Sequence, residues 1–310
     1  MSLAAIIFPG QGSQSVGMGR DIFEASPRAR EVFERSNRIL GFDLAKTCFD
    51  GPAEKLEQTD IQQPAIFVTS IALWEAFLEA GGSRDQFAKT GGLSLGEYTA
   101  LHVAGALEFE EALRLVHRRG QLMQEAADAV ESGMVSLVGA NEASAKALCD
   151  QCRGEEVLFP ANLNCPGQVV ISGHKTACAR AMSLADEYQC RAVALKVAGA
   201  FHSPLMESAA LRLAPLLERA SFSNPAIPVI SNVDAEYHDE PASIPQKLYL
   251  QVTHPVYWQK CVERMVADGV TEFVEMGPGR VLSGLVRKIH RPATVINVST
   301  AVALASAIPA

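Results

Sequence analysis

The chain has 310 residues, 48% of them hydrophobic and 20% charged, with a formal net charge of −8 at pH 7. That length allows one large α/β unit or a large unit carrying a smaller one, and the composition excludes a disordered chain. The acidic average argues against a nucleic-acid binder, because neutralising phosphates requires a basic surface.

In chain order, "AAIIFP" (4 to 9) reads as a buried strand. The glycine-rich "GQGSQSVGMG" after it reads as a loop that brings backbone N–H groups close to whatever lies above. It lacks G-x-x-x-x-G-K-[ST], and Gly10, Gly12 and Gly17 do not fit G-x-G-x-x-G, so nucleotide binding gets little support. "MSLAAIIFPGQGSQ" lacks the basic start and small-residue cleavage site of a signal peptide, and no uninterrupted apolar run approaches bilayer length. The expectation is a cytoplasmic protein that engages no membrane.

Helical periodicity runs through "SPRAREVFERSNRIL" and "DIQQPAIFVTSIALWEAFLEAGG", the second apolar nearly all round and so expected at the centre of the core. A short strand near 87 to 91 leads into "GGLSLGEYTA", helix follows, and 108 to 129 reads as a long second helix. Between 130 and 198 the pattern is strand, helix, two strands around "CPG", helix, strand. That β-α-β-β-α-β order is the ferredoxin-like module, and it predicts a small α+β domain at 130–198 inserted into a large α/β domain formed by 1–129 and 199–310. After "AGAFHSPLM" come a helix, a strand in "PVISNV", helices around 243 to 267, strand "TEFVEM", a turn at "GPG", helix "RVLSGLVRKIH" and strand "TVINVS". Strands alternating with helices predict a mostly parallel, covered sheet with the site at the strand C-terminal ends, facing the insertion.

Seven cysteines, at 48, 149, 152, 165, 178, 190 and 261, are an odd and uneven set that suits a reducing cytosol. Cys149 and Cys152 with His174 and Cys178 could complete a four-ligand zinc shell. Both pairs fall in amphipathic helical segments, where a free cysteine acts as a small apolar residue.

Ser94 lies between Gly92 and Gly96. A serine forced onto a sharp strand-to-helix turn needs glycine two positions before and after, because a Cβ at either place would collide with neighbouring backbone. Such a serine needs a base, and of seven histidines His202, in the loop "GAFHSP" at the domain return, is the one placed to reach across a cleft. Arg119 lies mid-helix beside an apolar face. It either snorkels to solvent or presents a planar fork to a substrate carboxylate.

Seven motifs in order, "FPGQGSQSVGMG", "GLSLGEYTAL", "RRGQLMQEA", "NCPGQVVISG", "GAFHSPLM", "QVTHPVYW" and "EMGPGRVLSGLVRKI", resemble the malonyl-CoA:acyl carrier protein transacylases of fatty acid synthesis and the acyltransferase domains of polyketide synthases. The resemblance covers nearly the whole chain. It implies a hydrolase-like large domain with a ferredoxin-like insertion, a Ser94 nucleophile, and a His202 base oriented by a backbone carbonyl near Gln251. It further implies an oxyanion hole from the backbone N–H groups of Gln11 and Leu95, and Arg119 as the ligand of the malonyl carboxylate. Malonyl-CoA and acyl carrier protein are the implied partners, with no metal or bound cofactor. The clearest departure is Leu93, where the commoner form has His before the serine. "GAFH" matches the malonyl-preferring form.

Two rival readings share these residues. A serine esterase or thioesterase would need an acid such as Asp186 or Asp234 behind His202 and would not need Arg119. A carrier-protein-binding scaffold would leave Ser94 unacylated. Docking of an acidic carrier protein calls for local positive charge, for which "VRKIHR", with Arg287, Lys288 and Arg291, is the densest stretch and Arg114 with Arg118 the second choice.

Overall fold

Eight strands form along the chain: β1 (Leu3–Phe8), β2 (Lys89–Gly92), β3 (Ser132–Val138), β4 (Leu158–Cys165), β5 (Gln168–His174), β6 (Arg191–Ala194), β7 (Val270–Met276) and β8 (Thr294–Val298). They build two sheets, a parallel one in the order β2-β1-β7-β8 and an antiparallel one in the order β4-β5-β3-β6. The structure, a computed structural model, describes residues 3–238 and 240–307.

β1 shows why the parallel sheet is covered on both faces. Successive side chains point to opposite sides of a strand. Ile6 and Phe8 join the larger apolar cluster, and Ala5 and Ile7 join a second one with Trp258 and Phe273. Thr59–Glu79 lies inside the larger cluster and is buried on nearly every side, as its all-round apolar pattern predicts. This helix is long and apolar enough by length and composition to cross a bilayer, yet 89% of that window is buried inside the protein. Gln62, Gln63, Thr69 and Ser70 interrupt it, and all four are buried.

The antiparallel sheet has its own core. Val135, Leu137, Leu158, Val169 and Ile171 pack against Ala145, Leu148, Cys149 and Cys152 of the helix Glu142–Arg153 and Ala177, Cys178 and Ala181 of the helix Lys175–Leu184. The zinc reading fails here. The cysteines are packing residues, burial pushes the Cys149 thiol up to about 12 and Cys178 up to about 11, and His174 Nδ1 accepts from the Val157 N–H at 2.9 Å. Among the described residues no His, Cys, Asp and Glu group could hold a metal ion.

Two details of the parallel sheet place the site. Phe8 pairs with Gly92, so the chain leaves β1 and β2 side by side at their C-terminal ends. The expected strand in "PVISNV" shrinks to two isolated bridges, a parallel one between Val229 and Thr90 and an antiparallel one between Ile230 and Tyr237, because Pro228 has no N–H to extend the ladder along β2 and the chain turns at Asn232. That turn delivers Asn232 to the end of β2.

Candidate active site

The chain leaves β2 at Gly92 and enters the helix Leu95–Val103 after only Leu93 and Ser94. So abrupt a reversal puts Ser94 at φ 53°, ψ −104°, a region where a non-glycine residue costs on the order of 1–3 kcal/mol. The flanking glycines admit it. A Cβ on Gly92 would stand 2.1 Å from the Gly96 carbonyl, and one on Gly96 would stand 2.2 Å from the Phe8 carbonyl oxygen. The turn is further held by Asn232, whose Oδ1 accepts from the Ser94 N–H at 2.6 Å and whose Nδ2 donates to the Gly92 carbonyl at 2.8 Å. Leu93, the departure from the commoner pattern, packs against the second apolar cluster.

Arg119 belongs to the helix Phe109–Asp128 and is fully buried. Gly120 beside it lets this helix press against the start of Thr59–Glu79, where a Cβ would come within 2.7 Å of the Thr59 carbonyl oxygen. The guanidinium donates through Nη1 to Gln63 Oε1 at 2.6 Å, and through Nη2 to Ser94 Oγ and to Gln251 Oε1, both at 3.0 Å. Among the described residues its Nε has no hydrogen-bond partner and the guanidinium forms no ion pair. Burial lowers its pKa, while Tyr98, whose ring lies under the guanidinium, and Glu97 act in the opposite direction. It does not snorkel to solvent.

His202 follows Phe201 in a turn, at φ 56° and buried. Its Nδ1 lies 2.7 Å from the Gln251 carbonyl oxygen. A carbonyl only accepts, so Nδ1 carries the proton and Nε2 is left with a free lone pair. Desolvation first, and the positive charge of Arg119 second, push the imidazole down to about 3. The ring is therefore neutral at ordinary pH. Neither acid considered above stands behind it: Asp186 and Asp234 are both exposed, and Asp234 pairs with Lys247 at 3.0 Å.

Ser94, Arg119, Gln251 and His202 thus form one continuous buried set, although among the described residues no hydrogen bond joins Ser94 to His202 directly. Gln11, just beyond β1, fixes its side chain by donating to Gln62 Oε1 at 2.6 Å. The backbone N–H groups of Gln11 and of Leu95, the first residue of its helix, donate to no acceptor among the described residues. From His202 a groove of about 520 Å³ runs outward between the helix Glu142–Arg153 and residues 253–257, with Phe159 and Tyr257 among its walls.

Sequence reasoning missed Gln63, Glu97, Asn232 and His238. Glu97 accepts from the Asn232 N–H, from Gln251 Nε2 and at His238 Nε2. A signal existed for two of them: paired glutamines in an otherwise apolar helix, and a glutamate one turn into a helix that reads as buried. On the surface, Arg114 pairs with Glu110 and Arg118 with Glu125. Arg287, Lys288 and Arg291 are exposed and form no ion pair among the described residues, and Arg287 donates to the Val295 carbonyl.

Residues 5–308 match the acyl transferase domain family. The chain is 44% identical over 301 residues to the malonyl CoA-acyl carrier protein transacylase of Bacillus subtilis (strain 168), covering 96% of this chain and 94% of that one. It superposes with TM-score 0.95 and 41% identity on the crystal structure of an acyl carrier protein S-malonyltransferase from Vibrio cholerae O1 biovar eltor, covering 99% of this chain and 100% of the other. A malonyl-transacylase solved in complex with its type II PKS acyl-carrier protein superposes with TM-score 0.95 at 38% identity, with 99% of each chain covered.

Proposed function

The chain belongs to the acyl transferase domain family, and from that premise we propose that it carries a malonyl group from malonyl-CoA to the phosphopantetheine thiol of acyl carrier protein, a loading step of fatty acid biosynthesis. One observation carries the choice of substrate. Arg119 is a fully buried cation with no anionic partner among the described residues, hydrogen-bonded to the oxygen of Ser94. A buried charge is tolerated when it is paired, and an acyl group ending in a carboxylate supplies the pair at the position where its thioester carbon can meet Ser94. A plain ester hydrolase gains nothing from that cation.

The proposed chemistry has two symmetrical halves. Bound malonyl draws Arg119 onto its carboxylate and releases Ser94 Oγ, which attacks the thioester carbonyl as His202 Nε2 takes its proton. The N–H groups of Gln11 and Leu95 hold the oxyanion. The carbon–sulfur bond breaks, and CoA leaves as a thiol with the proton from His202. The carrier thiol then attacks the malonyl-serine, gives its proton to His202, and Ser94 leaves protonated. These steps use no metal and no bound cofactor. His202, neutral and held at Nδ1 by a carbonyl, serves as base without an acidic third member.

The architecture is read to match. Residues 130–198 form an inserted domain of ferredoxin-like type, with β3 and β5 at the centre of its sheet, β6 and β4 outside, and two helices on one apolar face. Residues 1–129 and 199–310 form a hydrolase-like domain whose nucleophile turn follows β2. A cytoplasmic location belongs to the same proposal. The function is tested by incubating the protein with malonyl-CoA and holo acyl carrier protein. Malonyl-carrier protein is the expected product, and release of free malonate alone would favour the esterase reading.

A further inference from the structure

The Glu97 carboxylate touches none of the groups assigned a chemical step, yet Ser94, His202 and Arg119 are all tied to it through Gln251 and Asn232. Its carboxylate is wholly buried. One oxygen accepts from Gln251 Nε2 at 2.7 Å and from the Asn232 N–H at 3.0 Å, and the other faces His238 Nε2 at 2.9 Å. Asn232 in turn holds the Ser94 N–H and the Gly92 carbonyl. Gln251 holds His202 through its carbonyl, Arg119 through Oε1, and the Ser94 carbonyl through Nε2 at 3.1 Å. A buried carboxylate is costly unless its hydrogen bonds are made, and these bonds lead to the nucleophile turn, the base and the cation.

We infer that Glu97 is a positioning residue that holds Ser94, His202 and Arg119 in register with one another. This inference rests on the roles proposed above for those three residues. Removing the carboxylate frees Gln251 and Asn232 together, so the imidazole, the guanidinium and the serine lose their common reference.

Two near-isosteric substitutions separate position from packing. Glu97→Asp keeps the charge but withdraws it by one methylene, beyond reach of both Gln251 and Asn232. A misplacement on the order of 1 Å can cost about a hundredfold in rate. The expected result is acylation of Ser94 by malonyl-CoA slowed by roughly tenfold to a hundredfold, with a narrower preference for malonyl-CoA over acetyl-CoA because Arg119 loses its hold. Glu97→Gln can keep both bonds with its carbonyl oxygen, which turns its NH₂ toward His238. Among the described residues His238 Nδ1 has no partner, so the ring can move its proton from Nε2 to Nδ1 and accept. Glu97→Gln should therefore recover most of the rate that Glu97→Asp loses, with imidazole nitrogen NMR showing the His238 proton on Nδ1.

Glu97→Asp with the wild-type acylation rate and acyl preference would overturn the inference. So would Glu97→Gln at full rate with the His238 proton still on Nε2, a test that stands even if the Asp variant does not fold. Wild-type protein is measured in parallel. If it takes up no malonyl group, the functional reading fails, whereas normal uptake by wild type and Glu97→Asp alike removes only the positioning role.

Discussion

Arg119 donates a hydrogen bond to Ser94 Oγ at 3.0 Å from a position with no solvent exposure. A guanidinium held against a hydroxyl gives that oxygen no basicity. Its presence there makes sense as the resting state of a carboxylate site, with the serine oxygen standing where the substrate anion will draw the cation away.

Arg119→Ala should slow malonyl transfer by roughly a hundredfold, about 3 kcal/mol, since the malonyl carboxylate would be buried without its partner. Acetyl transfer has no carboxylate to lose and should fall much less. Steady-state kinetics with both CoA thioesters measure this. Equal losses would make Arg119 a support of the fold.

His202→Gln should slow acylation by about 10² to 10⁴, the usual worth of a positioned general base. Because the imidazole is pushed down to about 3, wild-type acylation should not fall as pH drops through about 6.5, the ordinary histidine value. A titration centred there would contradict the assignment. Stability gives the sign independently. Between about 3 and 6.5 the unfolded chain binds a proton at His202 that the folded chain does not, so this contribution is whole above 6.5 and is lost as pH falls. The stability difference between wild type and His202→Gln, followed by denaturation from pH 7 to pH 4, should move against the wild type.

Gly96→Ala would drive a Cβ to 2.2 Å from the Phe8 carbonyl oxygen. The turn must open, at a cost of about 1–3 kcal/mol or more, and Ser94 must move with it. Gly284→Ala is the control: its Cβ would meet nothing within 4 Å, and it lies inside the helix Val281–Ile289. That change should stabilise by about 0.4–1 kcal/mol and leave acylation unchanged. Urea midpoints and acylation rates compare the two, and equal midpoints would refute the close-packed turn.

Reversing Arg287 and Lys288 to Glu should raise the apparent KM for carrier protein and weaken its salt dependence, with acylation by malonyl-CoA unaffected. Unlike Arg114 and Arg118, these cations form no ion pair among the described residues. Unaltered carrier-protein kinetics at low salt would move docking to another surface.

The turn around Ser94 is legible in the sequence because it makes a stereochemical demand that only glycine meets, at two fixed offsets. The strand and helix order is legible for a similar reason, since β1 and Thr59–Glu79 are apolar enough to have one reading each. Asn232 is not legible: it is a common polar residue whose part depends on Ser94, far away in the chain, and nothing local distinguishes it from a surface residue. Gln63 and Glu97 stand out as polar residues in apolar helices, but the partners that give them their part are equally distant in the chain. The carbonyl of Gln251 and the N–H groups of Gln11 and Leu95 are harder still, because every residue has a backbone and only the fold shows which groups are left over. The strand expected in "PVISNV" fails for a local cause: Pro228 limits its pairing with β2 to one bridge.

The most direct test of the account is the intact mass of the protein after brief mixing with malonyl-CoA, with no carrier protein present. A single malonyl adduct is expected on the wild type, mapping to the peptide that contains Ser94, absent from Ser94→Ala, and discharged when holo acyl carrier protein is added. An adduct that persists on Ser94→Ala, or a wild-type protein that turns over malonyl-CoA without ever carrying the group, would contradict a malonyl-serine intermediate.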